Sequence, residues 1–441
     1  MNTCMTTTAQ IAADLPGYDP GDLPADAVGA FLERLVEPLA ETEDLALAAA
    51  LGRVLAQNVV SPVSVPPHDN SAMDGYAFDG ALLQPGQPLA LRCVGTALAG
   101  QSRHGAVPAG SCVRIMTGAV MPEGLDTVVP IEHTSVAGDT VHVAADALRP
   151  GANRRLRGED LMQGRVALAQ GTPLTPAALG LLASLGLPRV PVVRRLRVAY
   201  FSTGDELLGL GEPPREGAVY DSNRYTLFGL LTRLGVEVVD LGVVPDDPQA
   251  LSAAFRTAAQ QADAIVTSGG VSMGDADHTR GMMQELGDVA FWRIAMRPGR
   301  PMAVGRIARG AASEPAAGTG TNAGSAVLFG LPGNPVAVMV TFLAFVRPAL
   351  LRMMGSRQSP PPLLRAVCAT PLRKRPGRTE YQRGWVSTAA DGTLQVRTTG
   401  NQGSGMLSSM VQANGLIVLP HGRGDVAAGE PVDVLMFEGA V

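Results

Sequence analysis

Between residues 196 and 354 the sequence alternates apolar runs of strand length with amphipathic runs of helix length, and few folds accommodate that order. The spacing predicts strands at 198–201, 236–241, 264–267, 291–295 and 326–330, with helices at 223–234, from 248 onward and from about 335. Asp221 or Ser222 is the expected N-cap of the first helix, Gly235 its stop signal, and Pro248 the opening residue of the second. The expectation is a doubly wound α/β domain, whose ligands bind beyond the carboxyl ends of the strands. The loops at that edge therefore carry most of the functional information.

A chain of 441 residues holds more than this domain, roughly three at about 150 residues each. Residues 1–24 are punctuated by Pro16, Gly17, Pro20, Gly21 and Pro24 and read as a mobile arm. Residues 25–58 and 150–195 read as a helical and linker domain, with helical periodicity over 28–39, a second helix over 45–56 and a third over 175–185. Residues 59–149 break into short β-prone runs and read as a β-rich domain. Residues 355–441 form a small final β domain, and 308–325, rich in Ala, Gly, Ser and Thr, read as a flexible surface insertion.

Composition excludes several classes of function. A net charge of −5 and 4% aromatic residues leave no electrostatic footprint or stacking platform for nucleic acid. The polar start lacks a secretory pattern and no uninterrupted apolar stretch is long enough for a bilayer, so the expected setting is cytoplasmic and off the membrane. Cys4, Cys93, Cys112 and Cys368 are far apart and form no CxxC, which reads as free thiols. Lys374 is the only lysine and is followed by Arg375, so a Walker A loop is ruled out.

The strand-end loops collect an unusual set. Ser202-Thr203-Gly204-Asp205-Glu206 follows the first strand, Pro245-Asp246-Asp247 the second, and the glycine-rich run from Ser268 to Asp277 the third. Glycine-rich backbone can approach a phosphate, and carboxylates that converge repel one another unless a hard cation sits among them. Glu206, Asp246 and Asp277 thus read as a Mg²⁺ site beside a phosphate cradle, although Asp246 or Asp247 alone reads equally well as the N-cap of the helix opened by Pro248. Gly270 to Gly274 also matches G-x-S-x-G. A nucleophile elbow needs a helix right after its serine, and Gly274, Asp275 and Asp277 intervene.

Elsewhere, residues 69–77 (DNSAMDGYA) pack polar types too densely for an ordinary turn, while 114–119 (RIMTGA) offer a hydroxyl and backbone amides. Arg154, Arg155 and Arg157 offer phosphate forks. Arg297 and Arg300 sit on a proline-stiffened turn suited to an oxyanion, and Pro332 to Pro335 form a rigid turn at a helix N-terminus. In the last domain Arg378, Arg383, Gln402 and Ser404 add possible anion contacts.

Taken in order, DNSAMDGYA, RIMTGA, RGED, STGDEL, YDSN, TSGGVSMGDADH, RPGRP and LPGNPV resemble the molybdopterin molybdenumtransferase (MoeA) family, which includes the E domain of gephyrin. The resemblance implies a MogA-like α/β molybdopterin-binding domain joined to a β-rich domain, a helical linker domain and a C-terminal β-barrel. It also implies a homodimer whose active site is shared between subunits, and a reaction in which adenylylated molybdopterin and molybdate give molybdenum cofactor and AMP with Mg²⁺. Carried onto the matching motifs, the catalytic set is Asp69, Asp74, Thr117, Asp160, Glu206, Asp246 and Asp277, with metal held by Glu206, Asp246 and Asp277. Substrate contacts fall to Ser202, Thr203, Gly204, Asp221, Ser222, Ser268, Gly269, Gly270 and Ser272. Molybdate is expected near Arg297, Arg300, Pro332 and Pro335, assisted by Arg378 and Ser404.

Arg297 and Arg300 stand where the family commonly has lysines, in keeping with the near absence of lysine chain-wide, and Ala337 or its neighbour stands where a serine is common. No adenylyltransferase domain is appended, so a separate molybdopterin adenylyltransferase is the expected upstream partner. Alternatives are a non-catalytic molybdopterin-binding scaffold and a nucleotide pyrophosphatase on the same α/β domain. An adenylyltransferase fits less well, because its loop usually reads TTGGTG.

Overall fold

The computed structural model describes residues 6–270, 277–310 and 324–438, with the helix course alone for 277–280. Its α/β domain is built on a six-stranded sheet in which Glu237–Val244, Arg197–Thr203, Ala264–Ser268, Ser325–Leu331, Pro301–Ala308 and Gly287–Arg293 lie side by side in that order. Only Pro301–Ala308 runs against the others. The strand at 301–308 adds to the five that the sequence predicts; the proline-stiffened 297–301 turn reverses the chain and lets it pair with both neighbours.

Side chains alternate across this sheet as the strand period of two requires. Val198, Tyr200, Val266, Val327 and Phe329 face a core shared with Leu227, Leu230 and Leu231 of the Ser222–Leu234 helix. Ala199, Phe201, Ile265, Ala326 and Leu328 face Leu251, Phe255 and Ala258 of the Pro248–Gln261 helix. The sheet is covered on both faces and is doubly wound. Asp221 caps the first helix by accepting from the Arg224 N–H at 3.0 Å, and Gly235 ends it at a φ of +80°.

Two expectations need correction. Residues 6–24 are not a mobile arm: Thr8–Ala13 is a helix with a capping box between Thr7 and Gln10, and the Thr8 N–H donates to Asp288 at 2.6 Å. Ile11, Leu15 and Leu23 are buried with Phe31 and Trp292, because the edge strand Gly287–Arg293 presents an apolar face that the N-terminal segment covers. The helix expected over 45–56 is instead the strand Thr42–Ala46 followed by the short 3₁₀ turn Leu47–Ala49. That strand finds an antiparallel partner in Arg189–Val193, and pairing overrides local propensity.

The β-rich domain contains a six-stranded sheet that includes Gly75–Phe78, Ser111–Ile115 and Leu89–Ala97. Five strands of the C-terminal domain close into a barrel through the pairing of Thr379–Thr388 with Gly415–Leu419. Met296–Arg297 pairs with Thr379–Thr388, so the 297–301 turn is docked on the barrel. Pro335–Met353 is a continuous helical run of 19 residues, long and apolar enough by composition to cross a membrane. Here it is a core helix, with Val336, Val338, Phe342, Val346 and Leu350 packed against the sheet.

Candidate active site

The carboxyl ends of the parallel strands bring three of the predicted loops together. The Thr203 hydroxyl donates to Asp246, whose own N–H donates to the Asp205 carboxylate at 3.2 Å. Asp247, not Asp246, caps the helix at Pro248 by accepting from the Ala250 N–H at 2.8 Å. The alternatives left open for this pair are thereby separated: capping falls to Asp247, and Asp246 is turned to the strand-end site. Glu206 folds back over Gly204, where a Cβ would lie 2.5 Å from its carboxylate oxygen.

Gly269 has a φ of +93°, and a Cβ there would stand 2.4 Å from the Thr203 carbonyl oxygen. Any side chain would push the third loop off the first. The Gly269 N–H donates to the Leu331 carbonyl at 3.2 Å, which ties in the loop after the Ser325–Leu331 strand. Around this junction four buried polar atoms have no partner among the described residues: Ser202 Oγ, Thr267 Oγ1, Asp221 Oδ2 and Asn223 Oδ1. Buried polar groups are nearly always hydrogen-bonded, so such a cluster suits a polar ligand.

Glu206 and Asp246 are exposed carboxylates flanking Thr203 and Gly204. Hard oxygen donors in this number suit Mg²⁺, which takes one or two carboxylates and keeps several waters. Among the described residues no group of three His, Cys, Asp or Glu could hold an ion. Asp277 is the first residue of the Asp277–Leu286 helix, its side chain lies outside the described residues, and so does Ser272.

The β-rich motifs form a second constellation. Asn70–Ser71 pairs with Arg154–Arg155, and the Gly118 N–H donates to the Ser71 carbonyl at 2.8 Å. Asp69 accepts from the Arg157 N–H at 2.7 Å and lies 3.6 Å from the Arg154 guanidinium. Asp74 accepts from both the N–H and the hydroxyl of Thr117. The backbone bond chiefly, then the hydroxyl, holds its carboxyl below the ordinary carboxylate range. Asp160 is exposed, with its N–H bound to the Val65 carbonyl. Among the described residues no hydrogen bond or salt bridge joins this constellation to the strand-end loops.

A third constellation lies where the 297–301 turn meets the barrel. A cavity of about 260 Å³ is lined by Arg297, Arg373, Glu380, Gln382, Arg383 and Gln402, among others. Arg383 is 1% exposed and donates to Ser409 Oγ at 2.9 Å and to the Gly403 carbonyl at 2.9 Å. Among the described residues no carboxylate pairs with it. Burial, with the Arg297 charge added, pushes its guanidinium down to about 10. A buried cation in this position favours an anion in the cavity.

The predicted oxyanion residues divide accordingly. Arg378 is committed to Glu380 at 2.7 Å, which neutralises the carboxylate in the cavity wall. Arg300 is half-exposed and reaches Asp22 at 3.6 Å. Pro332 and Pro335 frame the turn before the Pro335–Thr341 helix, where the Val336 N–H is already bound to the Ser404 carbonyl at 3.0 Å. Ser222 is the first residue of its helix, beside its cap Asp221. Among the described residues Arg383 keeps an uncompensated charge and Arg378 does not; burial and pairing distinguish the two, and both are invisible in sequence. Asn223, whose amide joins two loops, carries no separate signal in the sequence, since it follows two residues that read as caps.

Three family models match the chain: the MoeA N-terminal region (domain I and II) over residues 24–186, a probable molybdopterin binding domain over 199–352, and the MoeA C-terminal region (domain IV) over 365–437. The chain is 42% identical over 408 residues to a molybdopterin molybdenumtransferase of Haemophilus influenzae, covering 92% of this chain and 96% of that one. It is 36% identical to one of Nostoc sp., covering 90% and 89%. A crystal structure of a molybdopterin biosynthesis MoeA protein from Pyrococcus horikoshii superposes with a TM-score of 0.76 at 27% identity, covering 94% of this chain and all of that one. With matched domains, full-length relatives and a common fold agreeing, this chain belongs to the MoeA family of molybdopterin molybdenumtransferases.

Proposed function

We propose that the chain inserts molybdate into adenylylated molybdopterin, releasing AMP and leaving molybdenum cofactor. The observation that carries this reading is Arg383, a fully buried guanidinium without an acidic partner among the described residues, in a cavity shared with Arg297. A compact dianion such as molybdate supplies the missing counter-charge. The 401–404 loop that Arg383 grips also touches the Pro335 turn, so this anion lies next to the strand-end loops.

At those loops Gly270 offers backbone for a phosphate, the Gly269 N–H being spent on the Leu331 carbonyl, and Asp246, oriented by Thr203, is placed to direct the attack at the phosphoanhydride. Glu206 and Asp246, with Asp277, would hold Mg²⁺, which when bound neutralises phosphate charge. The separation of Asp69, Asp74, Thr117 and Asp160 from these loops within one chain fits a homodimer in which one subunit's β-rich domain completes the other's site. The adenylylated substrate comes from an adenylyl-transfer reaction upstream, in the reducing cytoplasm to which the free thiols of Cys93 and Cys112 are suited.

Subunit complementation tests this arrangement. Asp74→Asn and Asp246→Asn homodimers are expected to be nearly inactive. Co-expressed, they should regain roughly a quarter of wild-type activity, since half the dimers would carry one intact site. No recovery, despite heterodimer formation, would contradict the shared site.

A further inference from the structure

We propose that Asn223 is a positioning residue that couples the phosphate loop to the oxyanion cavity, so that the two ligands bind with linked affinity; this rests on the reading of the site given above. Asn223 lies in the first turn of the Ser222–Leu234 helix and is 7% exposed. Its amide nitrogen donates to Ser268 Oγ at 2.7 Å and to the Gly333 carbonyl oxygen at 2.7 Å. A carbonyl only accepts, so the nitrogen must face Gly333, and both N–H bonds are spent on bridging two loops. Ser268 is the last residue of its strand and immediately precedes Gly269. Gly333 belongs to the turn between the Ser325–Leu331 strand and the Pro335–Thr341 helix.

From Gly333 the connection continues through further contacts of the fold. The Val336 N–H is bound to the Ser404 carbonyl, and Arg383 holds the neighbouring Gly403 carbonyl. One side chain thus stands between the loop that would take a phosphate and the loop that frames Arg383. Among the described residues the Asn223 Oδ1 is buried without a donor, so the amide is not simply satisfied by them. A ligand that fixes Ser268 and Gly269 fixes Asn223, and through it the Gly333 turn. Two ligands that bias one shared element change each other's affinity reciprocally.

The test is isothermal titration of the full chain with AMP and with molybdate, each alone and each in the presence of saturating amounts of the other. In the wild type, saturating AMP should tighten molybdate binding on the order of fivefold or more, and molybdate should tighten AMP binding by the same factor. In Asn223→Ala the factor should fall to near one while each ligand alone binds within about threefold of wild type. Asn223→Leu, which keeps the branched shape and loses the N–H donors without adding charge, should behave alike and serves if the alanine variant does not fold. A purely structural role would weaken both ligands and leave the factor intact. An unchanged factor in a folded variant, or no coupling in the wild type, overturns the proposal. Failure of the wild type to bind either ligand overturns the functional reading, and this inference with it.

Discussion

One carboxylate oxygen of Asp74 accepts both the backbone N–H and the side-chain hydroxyl of Thr117, each at 2.7 Å. These bonds favour the ionised carboxyl and hold its pKa down. Thr117→Val keeps the N–H and removes the hydroxyl, so the pKa rises toward the ordinary carboxylate range. If ionised Asp74 serves the reaction, the acid limb of the kcat/KM profile moves to higher pH in Thr117→Val and returns in Thr117→Ser. An acid limb indifferent to the hydroxyl would detach Asp74 from the reaction.

Asp246 and Asp247 are adjacent, yet only Asp247 caps the helix Pro248–Gln261. Asp247→Ala should cost about 1 kcal/mol in chemical denaturation, as loss of a helix cap does, with activity largely kept. Asp246→Asn should leave stability nearly unchanged and abolish most activity. The opposite pattern would return Asp246 to a structural role.

Asp263 lies at the opposite end of the sheet from the site, only 4% exposed, with Arg194 at 2.7 Å and Arg309 at 3.2 Å. Burial alone would raise its pKa. The Arg194 bonds, the Arg197 N–H and the two positive charges outweigh burial and hold it below the ordinary range. A depressed folded-state pKa contributes stability above the unfolded value near 4, lost as pH falls through the folded value. Asp263→Asn should therefore lower stability by about 3 kcal/mol at neutral pH, and the deficit should shrink as both proteins are acidified below about pH 4. A deficit independent of pH would assign the loss to packing instead of charge.

Much of this architecture can be read before any coordinates. The strand and helix alternation after residue 196, the Asp221 cap and the Gly235 stop are local signals, and each forms as its chemistry requires. What local signals miss is settled by distant partners. Leu45 joins a strand because Arg189–Val193 lies beside it, and Ile11 is buried because an edge strand needs a cover. The site divides in the same way. The three strand-end loops follow from topology, so Asp246 and Gly269 are visible in sequence. Arg383 and Arg378 are indistinguishable there, and only burial without a carboxylate separates one from the other. Asn223 hides for the reason that a buried amide bridging two turns has no sequence signature of its own.

The most direct test of the central claim is AMP release by the purified protein from adenylylated molybdopterin with Mg²⁺, as a function of molybdate, in the wild type and in Arg383→Gln. Wild-type release should depend on molybdate and yield material that reconstitutes a molybdenum enzyme. In Arg383→Gln the molybdate concentration for half-maximal rate should rise on the order of tenfold or more, because the buried positive charge that attracts the dianion is lost. AMP release indifferent to molybdate, or an Arg383→Gln variant with the wild-type molybdate dependence, would contradict the account.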